Sequence, residues 1–271
     1  MRTKFISHAL AFVCHASLAV CLATGAFAES RVMTAEDEQA SQSAVGRLNV
    51  TGQGFCTATL VAPDLVLTAA HCLINRRTGK VVSSDKVHFL AGFRIGSYAA
   101  HGRGEAVALA AGYSRARKVV AADIGVIRLQ APMPPSVVPI PLADGIKEDL
   151  DITLLSYGMD RAQLLSVERG CHFKKRISSV IFTDCEGIPG VSGAPLLQVH
   201  DGRAVLVAIA SSILAQPKTL IPVGDILAVE ATQDRLDQML MQLTGAEVLD
   251  ALPTGQTAVP AAATGIGIPT P

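Results

Sequence analysis

The sequence predicts an all-β protein, built as a barrel or sandwich of short strands, with a helix near the C-terminus. From residue 46 to residue 129, short apolar runs such as LVLTAA and DIGVIRL are separated by Gly, Pro and Asp. Similar runs resume near residue 150, among them DITLLSYG and AVLVAIASSI. Strands of this length and spacing are typical of barrels and sandwiches. The chain has 271 residues, of which 49% are hydrophobic, so it can bury a sizeable core.

A proline-rich segment divides the predicted strands into two halves. Residues 130–144 contain five prolines, which exclude a helix or a central strand there. We therefore place a first β-unit at residues 45–135 and a second at residues 136–230.

The C-terminal region changes character. Apolar residues recur there at intervals of three and four, as on one face of a helix: Leu236, Met239, Leu240 and Leu243. This spacing predicts a helix over residues 231–248. The remaining residues, 249–271, are rich in Pro, Gly, Ala and Thr and predict a disordered tail.

The N-terminus has the pattern of a secretory signal peptide. A basic start is followed by an apolar run from Ala9 to Leu22 and by the small-x-small triplet at residues 26–28. These features predict a signal peptide over residues 1–28, removed after Ala28. A membrane-spanning anchor would need a longer apolar run, and a lipid anchor at Cys21 is a weaker alternative because Val20 precedes that cysteine.

The predicted mature protein begins with a polar arm, residues 29–44, which we expect to be loose. It would be exported to the periplasm or the extracellular space, with no remaining membrane attachment. Its 21 basic and 23 acidic residues give no indication of nucleic-acid binding.

Four cysteines remain after the signal peptide: Cys56, Cys72, Cys171 and Cys185. An even number in an exported chain predicts two disulfides. The count alone allows three connectivities. A metal site is the alternative, but no C-x-x-C or H-x-x-x-H spacing supports one.

Three segments contain residue types suited to nucleophilic catalysis. Ser192 lies in GVSGAP, a glycine-rich turn. His71 ends the apolar run LVLTAAH, and Asp123 begins the run DIGVIRL. A serine hydroxyl is a weak nucleophile that needs a histidine base oriented by a carboxylate, so these three residues are candidates for one site.

In this chain order the three segments resemble the chymotrypsin/trypsin family of serine peptidases. That family has a strand ending in Leu-Thr-Ala-Ala-His-Cys, an Asp-Ile-Ala-like strand start and a Gly-Asp-Ser-Gly-Gly-Pro serine motif. The serine motif is matched here at Gly190, Ser192, Gly193 and Pro195. The resemblance implies two six-stranded antiparallel β-barrels with a C-terminal helix and the active site between the barrels. It also implies an enzyme that needs no metal or organic cofactor.

The resemblance also implies a role for each residue. Ser192 would be the nucleophile, His71 the general base and Asp123 the residue that orients the imidazole. The backbone N–H groups of Gly190 and Ser192 would form the oxyanion hole. The implied disulfides are Cys56–Cys72 and Cys171–Cys185.

The chain departs from the family pattern at Val191, where the family usually has Asp. The bacterial branch that includes the glutamyl endopeptidases also lacks this Asp, and the chain resembles that branch. A β-branched residue is less easily accommodated in an oxyanion loop. The structure must therefore show whether the amides of Gly190 and Ser192 can form the oxyanion hole. By analogy with trypsin-like enzymes, Glu186 would favour Lys or Arg in the substrate; the alternative is an acid in the loop beside Cys185 with no role in specificity. Ser211 would lie near the substrate backbone.

The sequence therefore predicts a secreted, monomeric serine endopeptidase acting on protein or peptide substrates. The sequence alone leaves two alternative functions open. One is an inactive homologue that serves as a binding protein, and the other is an esterase that uses the same triad.

Overall fold

The computed structural model describes residues 30–215 and 222–250, and its first unit is a closed six-stranded antiparallel barrel. Its strands are β2 (Val45–Val50), β3 (Gly54–Ala62), β4 (Leu65–Thr68), β5 (Val87–Ala91), β6 (Ala100–Leu109) and β7 (Gly125–Leu129). Around the barrel they follow the order β2-β3-β4-β7-β6-β5. Closure leaves no free edge. The interior is filled by apolar side chains such as Leu48, Leu60 and Phe89, which are fully buried.

The second unit is an eight-stranded antiparallel sheet. It contains β1 (Arg31–Val32), β8 (Ile152–Ser156), β9 (Ser166–Cys171), β10 (Phe173–Ile177), β11 (Val180–Gly187), β12 (Pro195–His200), β13 (Arg203–Ala215) and β14 (Gly224–Glu230). The strand order is β1-β9-β8-β12-β13-β14-β11-β10. The predicted all-β fold is confirmed, although among the described residues the second unit has two strands more than the six expected and is not closed by a continuous ladder.

Two kinds of contact between β9 and β11, a disulfide and a pair of hydrogen bonds, take the place of that ladder and are called the seam below. The Cys171–Cys185 disulfide joins the two strands. Beside it, the backbone N–H of Glu186 donates to both carboxylate oxygens of Glu168 at 3.1 Å. Next to these contacts, β1 pairs with β9 at Ser166 and Val167, and β10 pairs with β11 up to Thr183.

The N-terminal arm differs from the loose segment expected. β1 adds to the edge of the second sheet, and a short helix, α1 (Glu36–Ala40), follows it. Met33 is fully buried in the main core. The buried Gln39 side chain donates a hydrogen bond to the carbonyl of Phe93 at 2.7 Å. One apolar and one amide side chain thus anchor a segment whose overall composition is polar. The predicted signal peptide lies outside the described residues.

The proline-rich linker runs between the two units. The Ile140 N–H donates to the Leu60 carbonyl of the first barrel, and the Ala143 N–H donates to the Leu206 carbonyl of the second sheet, both at 2.9 Å. The linker is therefore part of the packed interface.

The C-terminal helix, α2 (Gln233–Asp250), begins and ends about two residues later than expected and packs against β6 and β7. Leu236, Met239 and Leu243 are buried in the main core. The last strand of the second sheet is thus followed by a helix that covers the first barrel. No helix within the described ranges combines the length and apolarity needed to cross a bilayer. Beyond the helix, the predicted tail lies outside the described residues from 251 onward.

Candidate active site

The three predicted catalytic residues come from three connections between strands. His71 lies in the 3₁₀ turn Ala70–Leu73 that follows β4. Asp123 lies between a second 3₁₀ turn, Val120–Ala122, and β7. Ser192 lies in the turn between β11 and β12 of the second sheet. The site therefore forms between the two units, with two residues from the first and one from the second.

Asp123 holds His71 at two points. The His71 Nδ1 lies 2.7 Å from the Asp123 Oδ2, and the His71 backbone N–H donates to the Asp123 Oδ1 at 2.8 Å. A carboxylate can only accept here, so Nδ1 carries the proton and Nε2 is the basic nitrogen. Ser211 also donates its hydroxyl to the Asp123 Oδ2 at 2.5 Å. Asp123 is 6% exposed, and these three donors compensate for its burial.

A disulfide braces the histidine turn. Cys56 on β3 is bonded to Cys72, the neighbour of His71. The predicted pairs Cys56–Cys72 and Cys171–Cys185 are both present. Together with His71, Cys56 and Cys72 form the only cluster of ligand-like spacing in the described part of the chain. Because their sulfurs are bonded to each other, neither can act as the thiolate ligand that a zinc site requires.

Gly193 allows the serine loop to approach the first barrel closely. Its φ is +83°, and a Cβ there would lie 2.1 Å from both the Thr57 carbonyl oxygen and the Thr68 Oγ1. Any other residue would push the serine turn away from the histidine turn. The Ser192 carbonyl accepts a hydrogen bond from the Thr57 N–H at 2.9 Å. Within the described residues, the Ser192 hydroxyl and the His71 ring are not hydrogen-bonded to each other. Such contacts often tighten only when substrate binds.

The loop from Ile188 to Ser192 has every carbonyl engaged. The Ile188 carbonyl accepts from the Val191 N–H at 3.1 Å, and the Pro189 carbonyl accepts from the Met159 N–H at 2.7 Å. The Gly190 carbonyl accepts from the Thr57 hydroxyl at 3.1 Å. The Val191 and Ser192 carbonyls accept from the N–H groups of Ala194 and Thr57, respectively, both at 2.9 Å. By contrast, the N–H groups of Gly190 and Ser192 have no acceptor among the described residues. In a trans peptide the N–H points away from the carbonyl, so anchoring the carbonyls also sets the direction of these two N–H groups.

Val191 anchors the same loop through apolar packing. It is 3% exposed and belongs to the core cluster of the second sheet, with Ile188, Ala194 and the Cys171–Cys185 disulfide. Its side chain packs in this core, and the residue also borders the pocket beside Ser192. Gly190, with φ +99°, completes the turn after Pro189. The valine that departs from the family motif is thus accommodated in the core, in a loop whose Gly190 and Ser192 amides have no acceptor within the described ranges.

A small apolar pocket adjoins Ser192. Its volume is about 220 Å³, and its walls are Ile188, Pro189, Val191, Ser192, Ala210, Ser211, Ser212, Ile213 and Ile226. Glu186, proposed from the sequence as the acid at the pocket base, does not line it. Its backbone is tied to Glu168 across the seam, and its side chain is exposed. Ser211 does line the pocket, but its hydroxyl donates a hydrogen bond to the Asp123 carboxylate.

A second cavity, of about 320 Å³, lies on the His71 side of the site. Tyr113, Arg115 and Lys118 line it together with His71 and Asp123. Burial and the nearby Asp123 carboxylate raise the pKa of Tyr113 to about 12, so its hydroxyl stays protonated at neutral pH.

Sequence patterns did not indicate two further residues of the site region. Thr57 is fully buried and contacts the serine loop, and Glu168 lies in the seam of the second sheet. The position of Thr57 directly after Cys56 was the one available signal, since that cysteine neighbours the histidine turn.

A chymotrypsin-type fold with a serine, a histidine and an aspartate between its two units defines a serine peptidase of the chymotrypsin/trypsin class. The family model of the trypsin-like peptidase domain matches residues 56–209 of the sequence, which is more than half of the chain. The chain belongs to this family. The predicted relationship to the glutamyl endopeptidase branch remains a prediction.

Among solved structures, the thermostable serine protease AL20 from an extremophilic microorganism has the same fold. It is 18% identical in sequence, with a TM-score of 0.61, and the match covers 76% of this chain and 99% of that one. No curated protein matches the chain in sequence.

Proposed function

We propose that this protein is an exported serine endopeptidase that cleaves peptide bonds through Ser192, His71 and Asp123. The observation that carries the proposal is the serine loop, in which five consecutive carbonyls are engaged while the N–H groups of Gly190 and Ser192 have no acceptor in the described part of the chain. Two such donors beside an aspartate-oriented histidine suit the oxyanion of an acyl-transfer reaction.

The mechanism follows from these positions. The Ser192 hydroxyl attacks the substrate carbonyl and transfers its proton to the His71 Nε2, while the new oxyanion accepts hydrogen bonds from the Gly190 and Ser192 amides. The imidazolium is stabilised by Asp123 and gives its proton to the departing amine. A water molecule then gives a proton to His71 and attacks the acyl carbon. The bond between the Ser192 Oγ and the acyl carbon breaks, the carboxylic acid product leaves, and His71 returns the proton to Ser192.

The pocket beside Ser192 supports an apolar preference in the substrate. Five of its lining residues are aliphatic, and none of the described residues that line it is charged. A Lys or Arg side chain entering it would lose hydration without gaining a counterion. We therefore propose a medium-sized apolar residue, such as Leu or Val, on the acyl side of the cleaved bond.

Active-site labelling tests the enzyme proposal. The mature protein should react covalently with a peptidyl phosphonate or a sulfonyl fluoride, and Ser192→Ala should not react. Ser166→Ala is the matched control because Ser166 is a buried serine on β9 whose hydroxyl has no hydrogen-bond partner among the described residues. Failure of the wild type to label, or equal labelling of Ser192→Ala, would favour the binding-protein alternative. The labelling should persist in EDTA, since no metal takes part in the proposed reaction.

A peptide library with varied acyl-side residues separates the remaining alternatives. Cleavage of amide bonds after Leu or Val supports the endopeptidase, whereas turnover of activated esters alone supports the esterase. Cleavage confined to Lys and Arg would contradict the apolar pocket.

Export is a separate part of the proposal. It is supported by the signal-peptide pattern and by the two disulfides, which persist in oxidising compartments. N-terminal sequencing of protein recovered from the periplasm or the medium should begin at Glu29. Size-exclusion chromatography of that material should show the proposed monomer.

A further inference from the structure

Thr57 connects the first barrel to the serine loop. It lies on β3, directly after the disulfide cysteine Cys56, and its side chain is fully buried. Its hydrogen bonds across the interface are with Tyr157, Gly190 and Ser192 of the second unit. A buried polar side chain requires hydrogen-bond partners, and both partners of the Thr57 hydroxyl lie in the second unit.

The hydrogen bonds of Thr57 have only one consistent arrangement. Its Oγ1 accepts from the Tyr157 N–H at 3.0 Å, so its own proton is free to donate to the Gly190 carbonyl at 3.1 Å. Its backbone N–H donates to the Ser192 carbonyl at 2.9 Å. The Thr57 carbonyl in turn accepts from the Thr68 hydroxyl at 2.8 Å. The hydroxyl and the amide of one residue therefore hold two carbonyls of the oxyanion loop.

These contacts determine the orientation of the peptides around the oxyanion site. The Gly190–Val191 peptide lies between the two peptides whose N–H groups are unengaged. Its carbonyl is held by the Thr57 hydroxyl, and the preceding carbonyl, of Pro189, is held by the Met159 N–H. Tyr157 and Met159 belong to the same short segment after β8. By holding the Tyr157 N–H, Thr57 therefore also positions the Met159 N–H that binds the Pro189 carbonyl.

We infer that Thr57 is a positioning residue that preorganises the oxyanion hole through its side-chain hydroxyl. Without the hydroxyl, the Gly190 carbonyl and the Tyr157 N–H would both lose a partner in a buried place. Rotation of the Gly190–Val191 peptide towards another donor would then relieve the loss and misalign the neighbouring amides. This inference rests on the proposed peptidase function.

The experiment compares three single variants with the wild type on one peptide amide substrate. Thr57→Val keeps the shape and removes the hydroxyl, and Thr57→Ser restores the hydroxyl. Thr59→Val is the matched control, because Thr59 is equally buried two residues along the same strand and its hydroxyl has no partner among the described residues. All four proteins are assayed well below the lowest of their melting temperatures.

For Thr57→Val we expect kcat to fall about tenfold to a hundredfold, with KM changed less than about threefold, as for the loss of oxyanion stabilisation. Thr57→Ser should recover most of the wild-type kcat. Affinity for a peptide aldehyde, whose hemiacetal oxygen occupies the oxyanion site, should fall in parallel with kcat, whereas affinity for the product peptide should not.

Two results would overturn the inference while leaving the proposed function standing, provided that the wild type is active. The first is a kcat of Thr57→Val that is no lower than that of Thr59→Val. The second is a kcat of Thr57→Ser that is as low as that of Thr57→Val. A wild type that neither labels nor turns over would instead overturn the proposed function, and the inference with it.

Discussion

Glu168 predicts an unusual pH dependence of stability. Its carboxyl lies in the seam between β9 and β11 with 1% of the residue exposed. Burial raises the pKa of Glu168 to about 7, although the N–H donated by Glu186 opposes the change. The acidic side chains of Glu186 and Asp184 add to the increase, and Arg161 reduces it. Compared with the unfolded chain, the folded protein therefore favours the protonated, neutral form of Glu168.

The size of the effect follows from the two pKa values. The ordinary value is 4.5 and the folded value is about 7. Each pH unit between them contributes about 1.4 kcal/mol, so the group accounts for about 3 kcal/mol. Because the folded-state pKa is the higher one, the folded state binds more protons between these values. The contribution of Glu168 is complete below pH 4.5, falls as pH rises and is lost above about pH 7.

The Glu168→Gln variant isolates this contribution, because glutamine resembles the protonated acid and stays neutral. We expect the variant to resemble the wild type near pH 4.5 and to be more stable by about 3 kcal/mol at pH 8. Urea unfolding with the disulfides intact measures the difference. Glu105→Gln, at an exposed position of β6, is the control and should show no such trend. A Glu168→Gln difference that is the same at both pH values would refute the argument.

Four further outcomes are expected from the site geometry. Asp123→Asn should lower kcat by about three to four orders of magnitude with little change in KM, measured by steady-state kinetics, since it destabilises the required tautomer. Gly193→Ala should cost about 3 kcal/mol or more in thermal unfolding, because the new Cβ would lie 2.1 Å from two oxygens of the first barrel. Replacing Cys56 and Cys72 together by Ala should cost about 3 kcal/mol, given their separation of 16 residues. Ile213→Ala should shift preference in a peptide library towards aromatic acyl-side residues by about tenfold, because Ile213 lines the pocket.

The catalytic candidates could be predicted because each lies in a short motif with its own local context. The apolar run before His71, the run after Asp123 and the glycines around Ser192 specify a strand end, a strand start and a tight turn. Such features depend on neighbours in sequence. Their common location then required only that the strands form the two units that the resemblance implied.

Glu186 shows where this reasoning reached its limit. Its distance from Ser192 in sequence suggested a place at the base of the pocket, yet its backbone is tied to Glu168 and its side chain is exposed. Whether a residue near a pocket faces into it depends on strand pairing. The register shift in the β11–β14 pairing between Phe182 and Glu186 is not visible in composition or spacing.

The sequence by itself determined the strand-rich class, the C-terminal helix, the three motif residues and the pool of four cysteines, because these depend on local composition and periodicity. Tertiary structure alone decided how the second sheet closes, how the N-terminal arm docks and how Thr57 and Val191 hold the serine loop. Each of these features joins residues far apart in sequence through burial and hydrogen bonding, and the pairing energy exists only once both partners are in place.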